Sequence, residues 1–251
     1  MANEIDLDFG SLNLNSTNNI TIEKISVKER KRVMTHKIPK SDMSAAETAR
    51  REKLTIDVSG DIAGTDYDDL RSNLDALKAG LQNGSQKFTT DDDRFIMAQM
   101  SGFNYNYVSL KIMAKWKATF IAHDPVWYSE TEHTDTRTPS TGVGYTINNA
   151  GNAPTRCKIA ITAPGGDITD DMQIENTTKG QLCKYRGTVT AADVLEIDNR
   201  YDTDDFEVLN DGTDDKKNFE GDFIDLDAGN NTIELTGTMG STTITWRDAW
   251  Y

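Results

Sequence analysis

Leu54-Thr55-Ile56-Asp57-Val58-Ser59-Gly60 alternates apolar and polar side chains without a break, the pattern of a strand that buries one face and leaves the other wet. Upstream, Ile20, Ile22, Ile25 and Val27 predict a second half-buried strand, and Val33 to Ile38 a further one. Downstream the period changes. Tyr67, Leu70, Leu74, Leu77 and Leu81 recur at three and four residues, so the segment Asp66 to Leu81 is expected to be a helix with one apolar face. Thr65 with Asp68 reads as its capping box and Asn83-Gly84 as its stop. Lys87 to Thr89, Phe95 to Met100 and one long run from Tyr107 to Ala122 then read as strands, with lysines 111, 115 and 117 on one face of the last.

From Tyr145 onward the helical period is gone. Short apolar alternations recur roughly every ten residues: Tyr145 to Ile147, Cys157 to Ile161, Met172 to Ile174, Val194 to Ile197, Phe206 to Leu209, Phe223 to Leu226, Ile233 to Leu235 and Thr243 to Trp246. Turn residues separate them, as in Asn148-Asn149-Ala150-Gly151-Asn152, Gly165-Gly166-Asp167, Asn210-Asp211-Gly212 and Gly229-Asn230-Asn231. This spacing predicts an antiparallel β-sandwich. Between the two halves, after His123-Asp124-Pro125, the Ser/Thr/Gly-rich stretch Ser129 to Gly144 reads as a linker or long loop. The expected domains are therefore residues 1–130 and 131–251. Cys157 and Cys183 fall on or beside the predicted strands and lack C-x-x-C spacing, so they read as reduced core residues and not as a zinc site or a disulfide framework.

Length and charge set further limits. A chain of 251 residues, 36% hydrophobic and 27% charged, has room for one or two cores. It contains no apolar run near the roughly 18 residues of a membrane span, so no membrane partner is expected. Met1 to Asp6 has neither the basic nor the hydrophobic region of a secretory signal. The net charge of −14 is unevenly placed: residues 1–125 carry 17 basic and 18 acidic groups, residues 126–251 carry 10 and 23. Such an acidic surplus repels phosphate backbones, and no sequence-specific nucleic acid is expected as a partner. Within the first half, Lys24 to Lys53 holds ten basic side chains against four acidic ones. With Pro39, Ser41, Ser44, few apolar anchors and a helical turn expected at Ala45 to Arg50, this segment reads equally as a solvated loop or as an interface arm. Lys28, Arg30, Lys31 and Arg32 are its candidate contacts to an acidic surface of an adjacent subunit or ring.

Catalytic chemistry finds little footing. His36, His123 and His133 show no i, i+4 pairing, and there is no nucleophile elbow, phosphate-binding glycine loop or dinucleotide fingerprint. The carboxylate clusters Asp91-Asp92-Asp93, Asp170-Asp171, Asp202 to Asp205 and Asp214-Asp215 miss the EF-hand spacing and read as solvated turns. The tryptophans at 116, 127, 246 and 250 read as core or interface anchors. A galectin-type sugar site would need a histidine in the sandwich, and none follows His133. No catalytic, cofactor-binding or metal-ligating residue is assigned, and the chain is expected not to be an enzyme.

One resemblance spans nearly the whole chain. Phe120-Ile121-Ala122-His123-Asp124-Pro125-Val126-Trp127-Tyr128, then Asn148 to Pro154, resembles the domain junction of siphophage distal tail proteins. Ile197-Asp198 and the stretch Gly221 to Ile233, with Phe223, Leu226, Gly229, Asn231 and Ile233 in the spacing F-x-x-L-x-x-G-x-N-x-I, are similar to later motifs of that family, and Ile244 to Tyr251 to its closing strand. The resemblance implies a mostly β fold: an N-terminal split β-barrel with one helix, related to tail-tube proteins, and a C-terminal galectin-like sandwich whose last strand, residues 240–251, returns to the N-terminal domain. It implies a homo-hexameric ring at the distal end of a virion tail, assembled in the host cytoplasm. The implied partners are the tail-tube protein, the tail-tip hub or tail-associated lysin, and receptor-binding proteins, with a central channel for DNA. Two other readings stand beside it, a carbohydrate-binding adhesin contacting the host cell wall and a tail-tube subunit.

Overall fold

In the computed structural model, residues 7–14, 20–29, 31–32, 35–37, 44–46, 50–90, 93–108, 111–138, 143–169, 171–200 and 206–251 are described, and the chain divides into two compact units, Met1–Pro125 and Val126–Tyr251. The first unit holds β1 (Asp8–Phe9), β2 (Leu12–Asn13), β3 (Ile20–Lys28), β4 (Lys31–Arg32), β5 (Thr35–Lys37), β6 (Ser44–Ala46), β7 (Arg50–Arg51), β8 (Leu54–Ala63), α1 (Tyr67–Leu81), β9 (Ser85–Thr90), β10 (Arg94–Tyr107) and β11 (Met113–Ala122). Seven of these strands form an antiparallel sheet in the order β2-β1-β9-β10-β11-β8-β3.

The alternation of β8 sets the two faces of that sheet. Leu54, Ile56, Val58 and Ile62 are buried, together with Ala114, Trp116, Ala118, Phe120 and Ala122 of the neighbouring β11. Helix α1 buries its Leu70, Leu74, Leu77 and Leu81 stripe. Phe9 and Phe88 close on Phe120 with ring centroids 4.9 and 5.2 Å apart, and Trp116 donates its indole N–H to the Asp61 carbonyl. The opposite residues of β8 and β11, among them Asp57, Lys115 and Lys117, make a polar face.

Three local expectations for this unit are corrected. The helix is capped one residue later than the sequence suggested: Asp66 is the N-cap and its Oδ1 accepts from the Asp69 N–H at 2.9 Å, while Asp69 Oδ2 accepts from both the N–H and the hydroxyl of Thr65. An aspartate accepts at an N-cap as well as a threonine does, so both registers were open. The run Tyr107 to Ala122 is not one strand. β10 ends at Tyr107, the chain turns with Lys111 at φ 53°, the Val108 N–H bonds the Met113 carbonyl, and β11 begins at Met113. Lys115 and Lys117 therefore share a face without Lys111, which sits over the Tyr67 ring. In the basic segment, Ser44–Ala46 is a strand and not a helical turn, and residues 47–49 lie outside the described residues. β4 pairs β7 and β5 pairs β6, both antiparallel, two short pairs that follow the Lys28↔Thr55 end of the β3–β8 pair in the sequence.

The second unit comprises β12 (Trp127–Ser129), β13 (His133–Arg137), β14 (Gly144–Asn149), β15 (Thr155–Thr162), β16 (Met172–Asn176), β17 (Gln181–Tyr185), β18 (Val194–Asp198), β19 (Glu207–Asn210), β20 (Thr213–Asp214), β21 (Phe219–Gly221), β22 (Asp225–Leu226), β23 (Gly229–Thr236), β24 (Thr242–Trp246) and β25 (Ala249–Trp250). One sheet runs β13-β24-β15-β18-β19-β20, with β22 beside β15, and a second runs β14-β23-β16-β17-β21. Their alternating inner residues form one core that includes Ile159, Ile161, Ile174, Ile197, Ile233, Leu235 and Trp246. The stretch read as a linker contains a strand. β13, His-Thr-Asp-Thr-Arg, pairs β24 from His133↔Trp246 to Arg137↔Thr242. Residues 242–246 lie between β13 and β15, and β25 pairs β12 through Trp127↔Trp250 and Tyr128↔Ala249. Cys157 and Cys183 are buried free thiols; burial pushes both up, Cys183 to about 12.

Candidate assembly site

The polar face of the first unit is a matched set of charges. Asp57 takes the Lys28 ammonium at 2.6 Å, Lys117 at 3.3 Å and the Thr119 hydroxyl at 2.7 Å. These partners, Lys28 first, hold the Asp57 carboxyl down at about 2. Lys115 sits 2.8 Å from Glu23 and 3.3 Å from Asp61, and Glu23 is likewise lowered by its bond to Lys115. Of the four candidate contacts from the sequence, Lys28 is thus held by the sheet itself. Arg30 lies outside the described residues, and Lys31 and Arg32 form β4. The structure pairs them with two other residues of the basic segment: Arg51 is the register partner of Lys31, and Arg50 of Arg32. Register between two short polar strands leaves no periodicity to read.

A second group of side chains is aromatic and exposed. Tyr105 and Tyr107 on β10 meet edge to face at 5.5 Å, and Tyr107 lies 5.8 Å from Tyr67 at the start of α1. Phe103 stacks over Trp116. Hydrogen bonding by Tyr67 is the largest influence on the Tyr107 hydroxyl, which is raised to about 12 and so stays protonated at neutral pH.

The motifs that carry the family resemblance converge in the second unit on three buried asparagines. Asn149 Nδ2 donates to the Ala153 carbonyl at 2.8 Å and reaches the Leu226 and Asp227 carbonyls at 3.4 Å, while its Oδ1 accepts from the N–H groups of Gly151 and Ala249. Asn231 Oδ1 accepts from the Asp227 N–H, and its Nδ2 donates to the carbonyls of Asp227 and Gly229. Asn176 Nδ2 donates to the Asp225 carbonyl at 2.7 Å and to Asn231 Oδ1. Nearby, the Ala150 N–H donates to Asp248, the Tyr251 N–H to Asn152, and Arg200 and Arg247 share Glu132. Gly151 is obligatory here, because a Cβ would lie 1.8 Å from the Ala249 carbonyl oxygen. The motifs latch the chain end onto the loop after β14 and the turn before β23. Their asparagines read from sequence as turn residues, since a hub among three distant segments leaves no local pattern.

Among the described residues, no three His, Cys, Asp or Glu side chains gather as metal ligands would, and no helix is long and apolar enough to cross a membrane. His133 is engaged by Asp248 at 3.1 Å and stacks on Trp246; His123 meets Gln99.

Asn176, Asn231, Gly151 and Ala249 of this latch fall within the span of a known family, and Asn149 adjoins it. Residues 150–250 match the family model described as the siphovirus-type tail component, C-terminal domain. The whole chain has a fold similar to those of solved phage hub and baseplate proteins. The crystal structure of the SPP1 Dit protein, described as a paradigm of the hub adsorption apparatus in phages that infect Gram-positive bacteria, aligns over 98% of this chain and 99% of its own, with a TM-score of 0.74 and 17% identity. A chain of the phage P2 baseplate in its calcium-activated conformation aligns over 97% of both chains, with a TM-score of 0.56 and 8% identity. At such identities the likeness is one of fold. No curated protein matches the sequence. The family match over residues 150–250 and the similarity of fold over the chain together bear out the resemblance to siphophage distal tail proteins and the mostly β architecture with one helix.

Proposed function

We propose that this chain is a structural protein of the distal virion tail. Six copies close into a ring that joins the tail tube to the tail-tip hub or tail-associated lysin, holds receptor-binding proteins in place and leaves a central channel for DNA. The observation that carries the proposal is the length of the match: both units, and not the tail-component domain alone, find counterparts in a protein described as a hub paradigm. The internal chemistry supports a role in architecture. The buried amides of Asn149, Asn176 and Asn231 are spent on holding the second unit together. A ring of identical copies requires two different complementary surfaces on each copy, and the first unit offers the charged face of its sheet and an exposed aromatic strip as distinct ones.

Gold-labelled antibodies raised against the chain and applied to intact virions test this placement. Label confined to the distal end of the tail is the expected result. Label along the whole tail would make the chain a tube subunit, and virions that never take label would overturn the proposal.

A further inference from the structure

The second unit carries a group of rings at its surface. One of its sheets ends in β20 and the other in β21. Phe219 on β21, Phe223 just after it and Phe206 just ahead of β19 form a row, with ring centroids 4.5 Å apart between Phe219 and Phe223 and 4.7 Å between Phe223 and Phe206. Phe219 and Phe223 rest against the core of the sandwich, whereas Phe206 is 49% exposed. An exposed ring held by packed rings behind it is a preorganised platform, since little freedom is lost when something lands on it. That platform already takes a cation: the Lys216 ammonium lies over the Phe206 ring, 5.1 Å from its centroid. The surroundings are acidic. Residues 206–223 hold six acidic groups against two basic ones, Lys216 on the ring and Lys217 on Asp215. Glu220 is taken by Arg186 at 2.6 Å. Glu207 beside Phe206, Asp222 beside Phe223 and Asp214 across the β19–β20 hairpin are exposed and form no ion pair among the described residues.

We infer that the row Phe206, Phe223 and Phe219 docks an arginine-bearing segment of a different protein, with a guanidinium over the Phe206 face and Glu207, Asp214 and Asp222 as its counter-charges. An exposed apolar patch rimmed by polar groups marks an interaction site, and charge complementarity selects the occupant: an anionic rim fits a cationic partner. A guanidinium suits both parts of the patch, because it stacks flat on a ring and pairs with carboxylates through several N–H donors, while its alkyl stem covers ring surface. The same carboxylates repel nucleic-acid phosphates and other polyanions. They also disfavour a second copy that approaches through its own second unit, where 23 acidic residues stand against 10 basic ones. The inference goes beyond the ring reading. The surface is complete within the second unit of a single chain and stands whether or not six copies close.

The test is fluorescence anisotropy of the full-length chain with a labelled eight-residue peptide of alternating arginine and leucine, beside a peptide of alternating glutamate and leucine and a short DNA duplex. Three variants accompany wild type: Phe206→Leu, which keeps an apolar side chain and removes the ring face; Asp214→Asn/Asp222→Asn; and Asp167→Asn/Glu234→Gln, which removes two charges elsewhere on the second unit. Circular dichroism confirms that each folds. The arginine peptide is expected to bind wild type about tenfold or more tighter than the glutamate peptide, and to weaken when salt shortens the Debye length from about 10 Å to about 3 Å. Phe206→Leu should weaken it by about threefold or more, Asp214→Asn/Asp222→Asn should weaken it as well, and Asp167→Asn/Glu234→Gln should leave it near wild type. Equal binding by all four proteins overturns the proposal, as does an arginine peptide that binds no better than the glutamate one, or DNA that binds in its place. Sedimentation velocity on the same proteins separates the remaining occupant: self-association of wild type that Phe206→Leu abolishes assigns the row to a second copy and overturns the proposal.

Discussion

The two units solve the problem of polar groups in different ways. The second unit buries neutral amides: Asn149, Asn176 and Asn231 are fully enclosed, and their bonds tie loops and chain end into the sandwich. The first unit sets its polar groups in ion pairs on one sheet face, Lys28 with Asp57 and Lys115 with Glu23 and Asp61. Buried amides bonded on all sides confer a unique packing that salt and pH hardly touch. Exposed ion pairs contribute little stability and respond to both. The contrast separates a self-contained module from one whose surface charge is available for assembly.

The strongest way to break this contrast is through the first core. Trp116 is buried between the sheet and its surroundings, so Trp116→Ala is expected to cost about 3–5 kcal/mol. Calorimetry should show the transition of the first unit lowered and that of the second left in place; a parallel fall in both would deny the units independent cores. Asn149→Ala attacks the other unit. It strands the N–H groups of Gly151 and Ala249 and the Ala153 carbonyl, and a loss of about 2–3 kcal/mol from the second transition is expected, with little dependence on salt. The smallest effect sharpens the electrostatic side. Asp57 has its carboxyl lowered from an ordinary 3.8 to about 2, so its contribution is complete above about pH 4 and disappears as pH falls through about 2. Asp57→Asn should cost on the order of 1 kcal/mol at neutral pH, and stability measured by urea unfolding should then fall less steeply than in wild type between about pH 4 and pH 2.

What the sequence disclosed follows the same divide between local pattern and assembled contact. The period-two β8 and the leucine stripe of α1 were legible because a single buried face governs each. The sandwich strands were legible for the same reason, from Ile147 through Trp246. β13 was not: His-Thr-Asp-Thr-Arg at a sheet edge buries too little to show a period. The break before Met113 was hidden because Ile112 and Met113 are apolar yet exposed, continuing the apparent strand through a turn. The basic segment was legible as an excursion, but the pairing of Lys31 with Arg51 is a property of register, which no single segment encodes. Gly151 looked like any turn glycine until the Ala249 carbonyl came to rest against it.

The most direct test of the central claim is the mass and symmetry of the purified full-length chain, followed by native mass spectrometry and negative-stain class averages over a range of concentrations. The account predicts a particle of six 27.9 kDa chains with sixfold symmetry and an open centre. A closed dimer, or an open-ended filament of stacked subunits, would contradict it.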